Sequence, residues 1–328
     1  MFIALTVASI FVVIEKADLV NLGLEMRTLA IPRSPPGVIS QIELYNALNQ
    51  VSRHSAFIYN PLYMLIIDTR SVDDYTNHHI QSAVHCTTLA DNKIATQIRN
   101  FLRIVVYGYG ENRESENRTG PSLQAQVVRL LSELELDFEI MEGTYDSYYE
   151  RFPFICNQLT CWTEPARHEH LNIYPSLILE DWCYQGAGYQ ATDEELIKSM
   201  GITHIINITT DLESSVDGIQ YLNINLQDEG KSDLYPHFLA VQDFMDSCKK
   251  EEGKILIHCN MGISRSSAAS LAYIMKQEQC SLLDAFAFLK SRRQVCAPNR
   301  GFLLQLAQFE LFLFGESVTD ATELWLNI

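Results

Sequence analysis

The sequence lacks the basic excess that is typical of proteins that bind nucleic acids or anionic lipids. Its 328 residues contain 24 Lys and Arg against 41 Asp and Glu, which gives a formal net charge of −17. Because nucleic-acid backbones and anionic membrane surfaces attract cations, this balance disfavours both partners. We therefore expect no nucleic acid and no stable membrane association.

The cysteines form no regular framework. Eight are scattered along the chain and no Cys-x-x-Cys pair occurs, which indicates reduced intracellular thiols. Cys156 and Cys161 lie near His168 and His170, but their spacing fits no familiar zinc site. We expect no metal and no cofactor. The predicted location is the cytoplasm, with mitochondria and the nucleus as alternatives.

The sequence also contains no apolar run of comfortable membrane-spanning length. The opening stretch "MFIALTVASIFVVIEK" is apolar but short, no basic residue precedes it and no convincing cleavage site follows. We interpret residues 1–37 as an N-terminal extension. Secretion or membrane anchoring remains the alternative.

What the chain does contain is two series of strands alternating with helices. "YMLIIDTR" and "LRIVVYGYG" are apolar runs typical of buried parallel strands, and "LQAQVVRLLSEL" has helical spacing. A second series includes "TDEELIKSMG", a helix with a predicted Thr cap and a terminal glycine, and the strand "KILIHC". This alternation predicts an α/β fold with parallel sheets. The predicted boundaries are an extension at 1–37, a first domain at 38–155, a linker at 156–173, a second domain at 174–316 and a tail at 317–328.

The stretch "HCNMGISRSS" at 258–267 has the composition of an oxyanion cradle. Cys259 ends a predicted strand and precedes a helix, so the backbone N–H groups of the helix start would surround an anion there. A free thiol has a pKa of about 8.5, and such amides together with Arg265 should lower it. Gly262 permits the tight turn, and Arg265 offers a planar fork for two phosphate oxygens.

This Cys-x5-Arg pattern resembles the signature loop of the protein tyrosine phosphatases, and His-Cys-x-x-Gly-x-Ser-Arg-Ser resembles their dual-specificity branch. The resemblance implies that Cys259 attacks phosphorus to give a phosphocysteine and that Arg265 clamps the phosphate. It also implies that Ser266 helps the thiolate to leave and that His258 orients the cysteine. The loop residues that would surround the substrate phosphate are Asn260, Met261, Gly262, Ile263, Ser264 and Arg265.

Two further segments extend this resemblance. "LNINLQDEGKSDL" carries Asp228 just after a predicted strand, where the family has its general acid, with Glu229 and Asp233 as neighbouring alternatives. "VCAPNRGFLLQLAQFE" resembles the family's Pro-Asn-x-Gly-Phe segment and implies that Asn299 supports the signature loop.

Structural roles remain open for several of these residues. Cys259 would then be a buried apolar thiol and Arg265 a surface cation. Asp228 would cap a helix that starts near Tyr235, and His258 would be a packed core histidine.

The first domain resembles the rhodanese-like domains through "LIIDTRSVDDYTNHHIQSAVH". The matching positions are Asp68, Arg70, Tyr75, His79, Ile80 and Ala83. Sulfurtransferases of that family carry a cysteine after the central strand, whereas Gly108 follows Tyr107 here and no cysteine lies between Cys86 and Cys156. We interpret the domain as non-catalytic, with a sulfurtransferase as a minor alternative.

A rhodanese-like domain followed by a phosphatase domain is the plan of the mitogen-activated protein kinase phosphatases and of the serine/threonine/tyrosine-interacting-like proteins. "ELYNALNQ" and "GISRS…PNRG" fit the second group better, although its better-known members lack the cysteine that this chain keeps. The arginines of the first domain are dispersed rather than clustered for kinase docking: Arg53, Arg99, Arg103, Arg113 and Arg118.

The resulting prediction is a cysteine-dependent dual-specificity phosphatase that acts on phosphorylated proteins, with signalling kinases as candidate partners. The alternative is a pseudophosphatase-like adaptor that binds phosphorylated partners without significant turnover.

Overall fold

The computed structural model describes residues 37–326 apart from 91–93, 95–96, 111–121 and 214–215, together with residues 26, 27 and 29. The apolar N-terminal run lies outside the described residues. Within them, no helix is long and apolar enough to cross a membrane. Two five-stranded sheets, each with its own helices, confirm the predicted α/β class and the two-domain organisation.

The sheet of the first domain consists of buried apolar strands. The strands of this part of the chain are β1 Val38–Ile39, β2 Leu65–Asp68, β3 His79–Ile80, β4 Val84–His85, β5 Ile104–Tyr107, β6 Glu139–Met141 and β7 Cys156–Asn157. Five of them form a parallel sheet in the order β1-β6-β5-β2-β4. Strands β2 and β5 are buried along their whole length, as expected where both faces of a sheet are covered.

Each of the four helices that the structure describes around this sheet begins after a Ser or Thr. The hydroxyl oxygen of that residue accepts a hydrogen bond from the N–H three positions later, which satisfies a free donor at the helix start. The helices and their caps are α1 Gln41–Leu48 after Ser40, α2 Val72–Asn77 after Ser71, α3 Leu123–Glu133 after Ser122 and α4 Tyr145–Arg151 after Thr144.

The segment 156–173, predicted to be a linker, carries a short strand and a helix that pack against the first domain. Strand β7 pairs with β3 in an antiparallel ribbon. Helix α5, Glu164–His170, follows a Thr163 cap. Arg167 of this helix is buried and donates hydrogen bonds to the carbonyl oxygens of Cys161 at 2.9 Å and Ile58 at 2.6 Å. These bonds fix the segment, so it cannot act as a free tether.

The second domain has a five-stranded sheet in the order β11-β10-β12-β9-β8. Its strands are β8 Ser176–Leu179, β9 Cys183–Ala187, β10 His204–Asn207, β11 Gln220–Asn223 and β12 Ile255–Cys259. Only the edge strand β8 runs antiparallel to its neighbour. The helices are α6 Gly188–Ala191, α7 Glu194–Met200, α8 Phe238–Lys250, α9 Arg265–Glu278, α10 Leu282–Arg292, α11 Arg300–Phe314 and α12 Ala321–Leu326.

Two details of this domain differ from the sequence expectations. Asp193, not the predicted threonine, caps α7, because its carboxylate accepts from the N–H of Leu196 while Thr192 ends the preceding helix. The segment expected to be a C-terminal tail carries α12, whose Ala321 and Leu324 are buried in the core of the second domain.

Helix α1 of the first domain packs against the edge strand β8 of the second. The Asn46 amide donates to the carbonyl oxygen of Leu177 and accepts from its N–H, both at 2.9 Å. Tyr45 donates to the carbonyl oxygen of Pro175 at 2.8 Å, and its ring belongs to the same hydrophobic cluster as Tyr184. A side-chain amide thus replaces the next strand at this edge, and the two domains share a core.

Candidate active site

Cys259 lies at the carboxyl end of β12, the central strand of the second sheet. Strands β10 and β9 pair with β12 in parallel on either side. In sheets of this kind ligands bind beyond the carboxyl ends of the strands. The cysteine is buried and the helix α9 starts at Arg265, so the loop between them wraps around the thiol.

Gly262 makes the tight turn of this loop sterically feasible. Its φ of +67° lies in the left-handed region. A Cβ at this position would lie 2.3 Å from the carbonyl oxygen of Gly186 in β9, a contact that no side chain tolerates. Glycine is therefore required at position 262 for two reasons, which are the left-handed backbone conformation and the close approach of the loop to the sheet.

The surroundings of Cys259 favour its thiolate. Burial alone would raise the pKa of the thiol. The Ser266 hydroxyl and the N–H groups of Ser266 and Ile263 donate hydrogen bonds to the sulfur, and together with the positive charge of Arg265 they lower the pKa by more than burial raises it. The net result is a lowered pKa. The Sγ atom of Cys259 lies 3.4 Å from the Oγ atom of Ser266. The other cysteines with a resolved shift have raised pKa values, so Cys259 is the one among them whose surroundings favour the thiolate.

Arg265 lies beside the thiol and is itself buried. Its Nη1 donates to the carbonyl oxygen of Leu226 at 2.8 Å, and its Nη2 donates to the Asn260 side-chain oxygen at 2.7 Å. The buried Nε has no hydrogen-bond partner in the described part of the chain. A phosphate oxygen is a suitable acceptor for this donor, because guanidinium groups bind phosphate through two N–H groups at once.

Asp228 lies in the loop after β11 and contacts the same cradle. Its Oδ1 accepts from the Ser264 hydroxyl at 2.6 Å and from the Asn299 amide at 2.9 Å, and its Oδ2 lies 3.7 Å from Arg265 Nε. The alternative that it caps the helix near Tyr235 is wrong, because neither the 3-10 helix Tyr235–His237 nor the helix α8 that follows it has a side-chain cap. The carboxylate is therefore joined to the signature loop, although that loop is distant in sequence.

Asn299 connects this carboxylate to the helix α11. Its backbone N–H donates to Ser264 Oγ at 3.1 Å, and its side-chain oxygen accepts from the N–H of Phe302, which caps the helix.

His258 is buried in β12, and burial together with the Arg265 charge lowers its pKa to about 4. Its ring is accordingly neutral at physiological pH.

The remaining loop residues form the outer wall of the cradle. Asn260 is held by Asp211, whose two oxygens accept from its amide at 3.0 and 2.9 Å. Met261 is 52% exposed beside the cradle. The carbonyl oxygen of Ile263 accepts from the N–H of Ala297 at 2.8 Å, which fixes the loop from the opposite side.

The sequence reasoning missed three residues that shape this loop. Arg293, fully buried, donates from Nε to the carbonyl oxygen of Gly262 at 2.9 Å, and from Nη1 to Ser176 at 3.1 Å. Gln185 donates to the same Gly262 oxygen at 3.2 Å. These two and Asp211 are remote in sequence from the loop. The one signal in the sequence is the Arg-Arg pair before "QVCAPNRG", which contains Arg293.

The first domain has no comparable site among its described residues. The motif pair Asp68 and Arg70 is buried and ion-paired at 2.7 Å, so it stabilises the domain internally. A Cβ on Gly108 would lie 2.5 Å from Thr69 Oγ1. No group of three or more His, Cys, Asp or Glu that could hold a metal occurs in the part of the chain that the structure describes.

Comparison with known proteins agrees with this geometry. Residues 183–312 match the model of the dual specificity phosphatase catalytic domain, and residues 43–148 match the rhodanese-like domain. The chain therefore contains a dual specificity phosphatase catalytic domain, and a rhodanese-like domain precedes it.

Similar proteins include one whose name gives both domains. A probable rhodanese domain-containing dual specificity protein phosphatase of Dictyostelium discoideum is 34% identical over 186 residues, which cover 56% of this chain and 39% of the relative. Dual specificity protein phosphatase 4 of Gallus gallus is 28% identical over 284 residues, covering 75% of this chain and 76% of the relative. The solved structure of human tyrosine phosphatase-like serine/threonine/tyrosine-interacting protein is 31% identical, covers 42% of this chain and 95% of that chain, and has a TM-score of 0.40.

Proposed function

We propose that the protein hydrolyses phosphotyrosine and phosphoserine or phosphothreonine in phosphorylated proteins through a phosphocysteine intermediate. The observation that carries this proposal is the convergence at one cradle of a thiol with a lowered pKa, a buried arginine and a carboxylate. Cys259 lies 3.4 Å from Ser266, while Asp228 lies 3.7 Å from Arg265 and accepts a hydrogen bond from Ser264 of the same loop.

In the first step the Cys259 thiolate attacks phosphorus and the ester P–O bond breaks. Asp228, in its protonated form, gives its proton to the departing oxygen, so the alcohol or phenol leaves neutral. Arg265 and the loop N–H groups bind the equatorial phosphate oxygens. A phosphate bound to Arg265 replaces Asp228 as the anionic partner of that arginine, which leaves the carboxyl group available for the leaving group.

In the second step a water molecule attacks the phosphocysteine. The Asp228 carboxylate takes a proton from the water, and the S–P bond breaks to release phosphate and the thiolate. The Ser266 hydroxyl donates to the departing sulfur, which lowers the cost of expelling it. His258, neutral and buried, serves to position the cysteine. Since the thiol must stay reduced for attack, we propose the cytoplasm as the site of action.

Turnover of 4-nitrophenyl phosphate and of matched phosphotyrosine and phosphothreonine peptides tests the proposal. We expect Cys259→Ser to abolish turnover and Asp228→Asn to lower kcat by about 100-fold or more. An asparagine keeps the oxygen that accepts from Ser264 and Asn299, so the loss would report the proton rather than the fold. Glu229→Gln is the matched control and should leave turnover unchanged, because Glu229 pairs only with Lys231, at 3.1 Å, among the described residues.

Undiminished turnover in Cys259→Ser would contradict the mechanism. Wild-type protein that binds the phosphopeptides but releases no phosphate would instead support the adaptor function, in which the same cradle captures phosphorylated partners.

A further inference from the structure

A groove of about 340 Å³ runs from the signature loop to the first domain. One wall is a short hairpin of the first domain, residues 51–56, together with Tyr59. The opposite wall contains Tyr189 and two signature-loop residues, Asn260 and Met261. Asn260 and Met261 belong both to the signature loop and to the wall of the groove, so the groove adjoins the phosphate cradle.

The hairpin at 51–56 has a fixed shape. Val51 and Ala56 form an antiparallel bridge across its base. The N–H of Ser52 donates to the carbonyl oxygen of Ser55 at 2.8 Å, and the Ser52 hydroxyl oxygen accepts from the N–H of His54 at 3.2 Å and of Ser55 at 3.0 Å. The turn is therefore closed by its own hydrogen bonds and presents residues 53 and 54 at its tip.

The base of the hairpin is also bonded to the phosphatase domain. The Gln50 amide donates to the carbonyl oxygen of Arg292 at 3.0 Å and accepts from the N–H of Gln294 at 3.2 Å. The Asn49 oxygen accepts from the N–H of Tyr174 at 2.7 Å. All of these bonds are buried or partly buried, so the hairpin and the signature loop keep a constant relation to each other.

The surface of the groove combines positive charge with exposed aromatic and apolar area. Arg53 and His54 are exposed at the hairpin tip, and Arg53 has no ion pair in the described part of the chain. Tyr189 is 60% exposed and Met261 is 52% exposed on the opposite wall. In a chain with a net charge of −17, an unpaired arginine beside the candidate active site is a local exception that favours an anionic ligand.

We propose that this groove binds the residues next to the phosphorylated side chain, and that Arg53 selects substrates with an anionic side chain there. The anion is a carboxylate or a second phosphate, and Tyr59, Tyr189 and Met261 cover the backbone and apolar side chains of the peptide. The proposal rests on the proposed function, whose substrate class it narrows. It also gives the non-catalytic first domain a direct part in substrate recognition.

The test uses the full chain with Cys259→Ser, so that binding is measured without turnover. Fluorescence anisotropy compares four phosphopeptides that differ only in the flanking residues, which are Glu, phosphoserine, Ala or Lys. We expect the Glu and phosphoserine peptides to bind more tightly than the Ala peptide, and the difference to shrink as salt is raised. Adding Arg53→Ala to this chain should reduce the ratio of the affinities for the Glu and Ala peptides by about two- to fivefold, which is the effect of losing an exposed ion pair.

Charge reversal sharpens the result. Arg53→Glu should shift the preference toward the Lys peptide. Arg99→Glu should leave the preference unchanged, because Arg99 is an exposed arginine of the same domain whose one hydrogen bond to a described residue is to the carbonyl oxygen of Leu134. If the Glu peptide binds more tightly than the phosphoserine peptide, the site selects carboxylates. If the phosphoserine peptide binds more tightly, the site selects a second phosphate. Equal binding of the Glu and Ala peptides, or a preference that survives Arg53→Glu, would overturn the proposal. Wild-type protein that shows the same charge-selective binding but releases no phosphate would overturn the proposed function and leave the charge selectivity of the groove standing.

Discussion

Gly262 offers a direct test of how far the signature loop depends on close packing, because the chain contains a matched control. Gly201 and Gly262 have nearly the same φ, +69° and +67°. A Cβ on Gly201 would meet nothing within 4 Å, whereas on Gly262 it would lie 2.3 Å from the carbonyl oxygen of Gly186. Alanine at the two positions therefore separates the backbone penalty from the steric one.

The expected magnitudes follow from these contacts. Alanine in the left-handed region costs about 1 kcal/mol, and we expect this loss of unfolding free energy for Gly201→Ala. Gly262→Ala adds a clash with the backbone of β9 that no side-chain rotation relieves, so the loss should reach about 3 kcal/mol or more. The displaced loop also carries the oxygen that Arg293 and Gln185 contact. A shift of about 1 Å there should lower kcat by about 100-fold.

Urea unfolding followed by circular dichroism measures the first quantity, and hydrolysis of 4-nitrophenyl phosphate measures the second. Gly201→Ala should retain wild-type kcat, since Gly201 lies at the end of α7 and contacts no residue of the signature loop. Equal losses of stability in the two variants, or wild-type turnover in Gly262→Ala, would refute the argument from close packing.

Two further predictions concern the thiol and the domain interface. Ser266→Ala should raise the pKa of Cys259, because the hydroxyl that stabilises the thiolate is removed. The pH at which alkylation by iodoacetamide reaches half its maximal rate should therefore rise. An unchanged pH profile would exclude this role of Ser266. Asn46→Ala should lower the unfolding free energy by about 2–5 kcal/mol, since it leaves the buried N–H and carbonyl of Leu177 without partners. Urea unfolding checks this against the exposed variant Glu195→Ala, and a loss no larger than that of the control would contradict it.

Much of the fold was predictable because the signals are local. The buried strands are apolar runs and the helices have regular spacing, so the two α/β domains follow from the sequence. The helix α5 was missed because it is short, begins with Glu-Pro and shows no sustained apolar period. The cap of α7 was misassigned by one position because Thr192 and Asp193 are both good capping residues, and only the path of the preceding helix selects the second.

The candidate site also consists of residues that a local motif predicts and of residues that no local pattern predicts. Cys259, Arg265 and Ser266 lie within one short segment, and a single motif predicts them together. Arg293 and Asp211 act on that segment from other elements through backbone oxygens and an amide, contacts that leave no spacing pattern in the sequence. The groove lined by residues 51–56 likewise leaves no pattern in the sequence, because it forms only where the two domains meet.

The pairing of α1 with β8 also bears on how the protein avoids self-association. An edge strand with free N–H and carbonyl groups is a template on which another polypeptide can add as a strand. Here Asn46 occupies the Leu177 groups on the open side of β8, and the Tyr45 hydroxyl occupies the nearby carbonyl of Pro175. The rhodanese-like domain thereby covers an edge of the phosphatase sheet on which another chain could otherwise add as a strand.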